Sequence, residues 1–153
     1  MHTHVFEPGV IALDFDAPTE FFYAQKNGRQ TMTEQVEAIA KEISRKYALG
    51  LYWMYETLSG IHVIFQCRLA SHELALDVMR DAHEREGFHA CGGHLFCAEN
   101  RGYVELRVGH KPDREWDLYP YKLNPPASIC PHVKRHEELM ALRLPAIEKD
   151  VAH

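Results

Sequence analysis

Apolar and polar residues alternate along three short stretches of this chain, and the alternation predicts strands. In Val10 to Phe15, Ile11, Leu13 and Phe15 project to one side, while Asp14 and the following Asp16 project together from the other. In Ile61 to Cys67, Ile61, Val63 and Phe65 oppose His62, Ile64 and Gln66. In Tyr103 to Val108, Val104, Leu106 and Val108 oppose Glu105 and Arg107. Leu51 to Tyr55 is aromatic-rich and predicts a further strand, joined to Ile61 by the turn Thr57-Leu58-Ser59-Gly60.

Helical period takes over between the strands. A first helix is expected from Thr31, which stands three residues before Glu34 as in a capping box, to Gly50. Val36, Ile39, Ala40, Ile43 and Tyr47 give its apolar face. Ser71 is the expected N-cap of a second helix with Leu74, Val78, Met79 and Ala82 as its stripe and Gly87 at its end. Phe88 to Cys97, with the turn pair Gly92-Gly93, reads as having strand character. A proline-rich polar stretch follows, and a last helix is expected over His132 to Leu144. Met1 to Gly9 reads as a short lead-in, partly disordered.

Strand, helix, strand, strand, helix, strand is the order of an α+β ferredoxin-like or RRM-like βαββαβ sheet. In that arrangement the first and third strands are antiparallel neighbours, and the last strand flanks the first. Helices cover one face, and Asp14, Asp16, His62, Glu105 and Arg107 gather on the other, open face. A slip of one residue in any strand would destroy that agreement. The 153 residues are expected to form a single domain, with its core at about 10–111 and a loop-rich extension with the C-terminal helix at 112–153.

Composition narrows the class. Hydrophobic content of 46% and charged content of 25% are those of an ordinary globular protein, not of a disordered or membrane chain. No apolar run has transmembrane length, and no signal-like start is present, so no membrane partner is expected. Four irregularly placed cysteines do not form a secreted disulfide framework, so a reducing cytoplasm is the expected compartment. A net charge of −5 supplies no general basic field for nucleic acid, although a site built on carboxylates and metal is acidic by construction.

Two carboxylates side by side repel, and a divalent cation with a taste for oxygen, Mg²⁺ or Mn²⁺, relieves that repulsion. The competing reading of Asp-Phe-Asp-Ala-Pro is a strand ending in a polar turn. Paired acids with a histidine and cations nearby suit phosphoryl or nucleotidyl transfer. Arg107 or Lys111 would hold a triphosphate, and His62, with the Ser59-Gly60 backbone, a phosphate or sugar edge. Against this, an isolated strand histidine is more often hydrogen-bonded to a neighbour, and Glu105 with Arg107 could be a solvated cross-strand pair. His89, Cys91, His94 and Cys97, with Cys130 and His132 downstream, raise structural zinc on Cys91, His94 and Cys97. Their spacing is not that of paired knuckles, and Cys97 as a small buried hydrophobe is the alternative.

Leu13-Asp14-Phe15-Asp16, then Ser59-Gly60-Ile61-His62-Val63, then an acidic strand resembles the archaeo-eukaryotic primase superfamily over about Val10 to Lys111. Asp14 and Asp16 match its paired acids, and Ser59 with His62 its serine-containing turn, with the serine three residues before the histidine instead of two. Glu105 matches the later single acid, with Glu99 as a rival. The resemblance implies a minimal primase-polymerase: a metal-dependent nucleotidyltransferase with Asp14, Asp16 and Glu105 as catalytic metal ligands. Its partners would be nucleoside triphosphates and single-stranded or primed nucleic acid. Three other readings compete. A rolling-circle endonuclease needs a second histidine beside His62-Val63-Ile64. A non-catalytic module of the same fold would bind nucleotide or single strands on its open face. In an adaptor the acidic pair would be incidental.

Overall fold

A computed structural model describes residues 3–17, 27–57, 60–85, 90–109, 121–122 and 130–142. In chain order the elements are β1 (Thr3–Val5), β2 (Ala12–Asp16), α1 (Gly28–Tyr47), β3 (Tyr52–Glu56) and β4 (Gly60–Phe65). There follow α2 (His72–Glu84), α3 (Gly92–Arg101), β5 (Glu105–Arg107), β6 (Tyr121–Lys122) and α4 (Pro131–Ala141). The class is α+β with antiparallel sheets.

The main sheet runs β2-β4-β3-β6, all antiparallel. Its register aligns Asp14 with His62 and His62 with Tyr55, so these three side chains form one row across one face. Leu13, Val63 and Met54 form the neighbouring row on the opposite face. The facing expected from alternation holds for β2 and β4. Gly60 sits where the strands approach most closely: a Cβ there would lie 1.7 Å from the Phe15 carbonyl oxygen, so no other residue fits without moving the backbone.

The fourth expected strand behaves differently. β5 touches β2 but is not hydrogen-bonded to it; it pairs with β1, Thr3 opposite Arg107 and Val5 opposite Glu105, in a separate two-stranded ribbon. The lead-in is therefore partly a strand, held further by the Phe6 amide on the Val104 carbonyl.

Helices α1 and α2 lie against the Leu13/Val63 face. Leu13, Phe15, Val63, Phe65, Val36, Ala40 and Ile43 are wholly buried there, each large side chain contributing about 1.5–3 kcal/mol of burial free energy. Helix α1 starts earlier than expected, with Asn27 in the left-handed region at φ 63° as N-cap. Thr31 is thus inside the helix, its hydroxyl donating to the Asn27 carbonyl, and no capping box forms. Ser71 does cap α2, accepting from the Leu74 amide at 3.2 Å. The α2 stripe loses one expected member and gains two: Leu74 is exposed, and Ala75 and Leu76 join Val78, Met79 and Ala82 inside. Gly87, the expected cap at its end, lies outside the described residues.

The face carrying Asp14 and His62 is not open. Tyr55 is 0% exposed, donates its hydroxyl to Glu137 of α4 at 2.9 Å, and meets the His136 ring edge-on at 5.2 Å. His136 in turn stacks on His4 and Phe6. Helix α4 and the segment after β1 therefore cover this face and leave the Asp14 end reachable. Phe88 to Cys97 is also corrected: its described part turns helical from Gly92, with Leu95 and Ala98 inward and Gly102 at φ 79° closing α3.

Candidate active site

Asp14 and Asp16 end β2, where the strand runs out from under its cover. Asp14 is half-buried and Asp16 exposed. With Thr57, His62, His94, Glu105, Leu106 and Arg107 they line a cleft of about 120 Å³. Five residues expected at the site, Asp14, Asp16, His62, Glu105 and Arg107, line it. Ser59 and Lys111 lie outside the described residues, as does His89.

His62 Nε2 stands 3.5 Å from Asp14 Oδ1. That is ion-pair distance, but the imidazole carries no charge at neutral pH. Burial, seconded by His94 and Arg107, depresses its pKa to about 3. The contact is therefore between a neutral ring and a carboxylate, and His62 does not neutralise the acids. His94 also lines the cleft, and its Nε2 is 2.9 Å from the Ala12 carbonyl oxygen, which ties α3 to β2.

Glu105, on the cleft wall, is already paired. Its carboxylate receives Arg101 and, at 3.3 Å, the Thr3 hydroxyl. Glu99 pairs with Arg80 at 3.4 Å and does not line the cleft. Arg107 donates to the Gly109 carbonyl, which holds its guanidinium at the cleft wall.

The residue not foreseen in this role is Cys91. One ligand atom each from Asp14, Asp16 and Cys91 can lie within 4.8 Å of one another, and this is the one such group of histidine, cysteine and carboxylate side chains among the described residues. Cys91, His94 and Cys97 form no such group, so the three zinc candidates do not converge. The Cys91 amide donates to the Asp14 carbonyl at 2.6 Å, which fixes the start of α3 against β2. A usable signal was present: Leu95 and Ala98 at helical spacing with Gly102 behind them mark a helix that begins at Cys91.

A wider cleft of about 750 Å³ lies on the far part of the covered face, between the ribbon and the start of α4. It is lined by His4, Arg68, Cys130, His132 and Arg135. Arg68 is occupied by Glu7 and the Pro8 carbonyl, and His132 by the Phe65 carbonyl. No paired acids meet there.

Protein-family models, curated proteins and solved structures were compared with the chain, and none matches. No helix among the described residues is long and apolar enough to cross a membrane.

Proposed function

We propose that this protein is a metal-dependent nucleotidyltransferase resembling a minimal primase-polymerase, adding nucleotides on a nucleic-acid template. The observation that carries the reading is the convergence of Asp14, Asp16 and the buried His62 in one cleft with Arg107 on its wall. The finer fold assignment belongs to the same proposal: β2, β4 and β3 are ordered as the first three strands of a ferredoxin-like sheet, with β5 displaced into the ribbon.

Asp14 and Asp16 would hold Mg²⁺ or Mn²⁺, which when bound supplies charge stabilisation for an in-line displacement at phosphorus. Arg107 would orient the triphosphate, and neutral His62 would donate one N–H without adding charge. A pocket enclosing a whole ligand usually measures about 300–1,000 Å³. The described cleft is smaller, about 120 Å³, and suits a cation with a phosphate group while sugar and base lie outside it.

A stacking module is less well supported, because Tyr55, the aromatic in the Asp14/His62 row, is sealed beneath α4. Primer extension with Mn²⁺ or Mg²⁺ tests the proposal. The parent should incorporate nucleotides, and Asp14→Ala with Asp16→Ala should abolish incorporation while keeping the fold. Incorporation undiminished in the double variant would overturn it. So would single-strand binding that survives EDTA with no incorporation by the parent, the result expected of a binding module.

A further inference from the structure

The third group at the paired acids is a thiol. Cys91 is a free cysteine, partly accessible, and its sulfur shares the 4.8 Å group with one oxygen each of Asp14 and Asp16. Metal–sulfur and metal–oxygen bonds of about 2.3 and 2.2 Å set neighbouring ligands of one ion about 3–4 Å apart, so ligand atoms that all lie within 4.8 Å of one another need only small side-chain rotations to share it. The amide of Cys91 is anchored to the Asp14 carbonyl at 2.6 Å, so sulfur and carboxylate are set by one local contact.

A second observation bears on the same spot. His62 is 4% exposed, and its Nε2 faces Asp14 at 3.5 Å. Its Nδ1 makes no hydrogen bond among the described residues. A buried imidazole that turns Nε2 toward Asp14 at 3.5 Å and leaves Nδ1 without a hydrogen bond is expected beside a polar site that a ligand completes. Glu105, the acid expected as third ligand, is held by Arg101 and Thr3.

We propose that Cys91, as thiolate, is the third ligand of the cation held by Asp14 and Asp16, making a mixed oxygen–sulfur site. This rests on the reading of those acids as a metal site and adds its chemistry. On binding, the sulfur–metal bond forms as the sulfur–hydrogen bond breaks, and the proton leaves to solvent. Sulfur selects softer ions, so the site should prefer Mn²⁺, Co²⁺, Zn²⁺ or Cd²⁺ over Mg²⁺.

The test uses the full chain and the metals themselves. Co²⁺ should give a near-ultraviolet thiolate-to-metal band that Cys91→Ser removes and Cys97→Ser retains. Cys91→Ser should weaken Cd²⁺ binding by about tenfold or more while leaving Mg²⁺ binding within about twofold. In the unmutated protein, Cd²⁺ should protect Cys91 from iodoacetamide, read by peptide mass, which requires no variant to fold. Absence of the band and of protection in the parent would overturn the inference, as would a Cys91→Ser protein that keeps both band and Cd²⁺ affinity. Asp14→Asn separates the two proposals. If it abolishes Mn²⁺ binding while Cys91→Ser changes no metal preference, the nucleotidyltransferase reading stands and the thiolate ligand falls.

Discussion

The two faces of the sheet are built on opposite terms. On the α1/α2 face, Leu13, Phe15, Val63 and Phe65 meet apolar helix residues, and every large side chain is closed off from water. On the α4 face, His62, Tyr55, His136 and His4 are buried nearly as completely, with Asp14 half-buried at the edge, but they carry polar atoms. The first face obtains its stability from area alone. The second must find partners for each nitrogen and oxygen or keep them uncharged, because burying a charge without a partner is far costlier than burying a methylene. A fold can spare such a face only where it has another use for it.

The largest effect should come from the apolar face. Phe15→Ala empties a wholly buried site between β2 and the helices and should cost about 3–5 kcal/mol in denaturant unfolding. A loss under about 1 kcal/mol would mean that β2 is not anchored by that face.

On the other face, removing a polar group should cost little and remove a function. Without divalent ions, Asp14→Asn should stay within about 1 kcal/mol of the parent. With Mn²⁺ at about a hundred times its dissociation constant, the parent should gain about 2.7 kcal/mol, seen as a raised Tm. The variant should gain none. Equal gains in both proteins would detach the metal from Asp14.

Acid should separate the faces as well. His4 has its pKa lowered to about 4 by burial, with Arg135 and His132 adding to the effect. His136 is lowered well below the ordinary value by burial, then by His4 and His62. Since both are bases held neutral, the unfolded chain binds protons below about pH 6.5 that the folded chain refuses. Their contribution is thus fully present above pH 6.5 and is lost as pH falls toward about 4 for His4 and lower for His136. Tm should be flat from pH 8 to 7 and fall by several degrees by pH 5. His4→Phe with His136→Leu removes the 3.1 Å contact between the two rings together with both titrations, and should flatten that fall. A residual slope from His62, lowered to about 3, remains in the variant. An unchanged slope would show that the two rings do not set the acid limit.

The apolar face was legible because alternation is a statement about burial, and Leu13, Phe15, Ile61 and Val63 are what they look like. The row Asp14–His62 followed from the same alternation plus the neighbouring of β2 and β4. What failed was the inference that polar means open. Tyr55 and His136 are sealed because a neutral imidazole and a phenol with one carboxylate partner can be buried at tolerable cost, and period alone does not reveal that. β1 escaped because its three residues are too few to show a pattern, and with it went the partner of β5. Helix α3 escaped because Gly92-Gly93 reads as a turn, and with it went the place of Cys91 beside the acids.

The smallest effect concerns how the apolar face is closed. Ser71 accepts the Leu74 amide at the start of α2, and that bond satisfies one of the orphan donors at the end of a helix packed against β2. Helix α4, over the polar face, has Cys130 at its N-cap with no side-chain cap bond and Pro131 at its first turn, so it depends on Tyr55–Glu137 and the His136 stack instead. Ser71→Ala should therefore cost about 1 kcal/mol. It should do so with no change in Mn²⁺ affinity or nucleotide incorporation, because the cap touches nothing on the Asp14 side. A stability loss with altered metal binding would mean that the two faces are coupled through β2 and that their separate construction does not extend to their energetics.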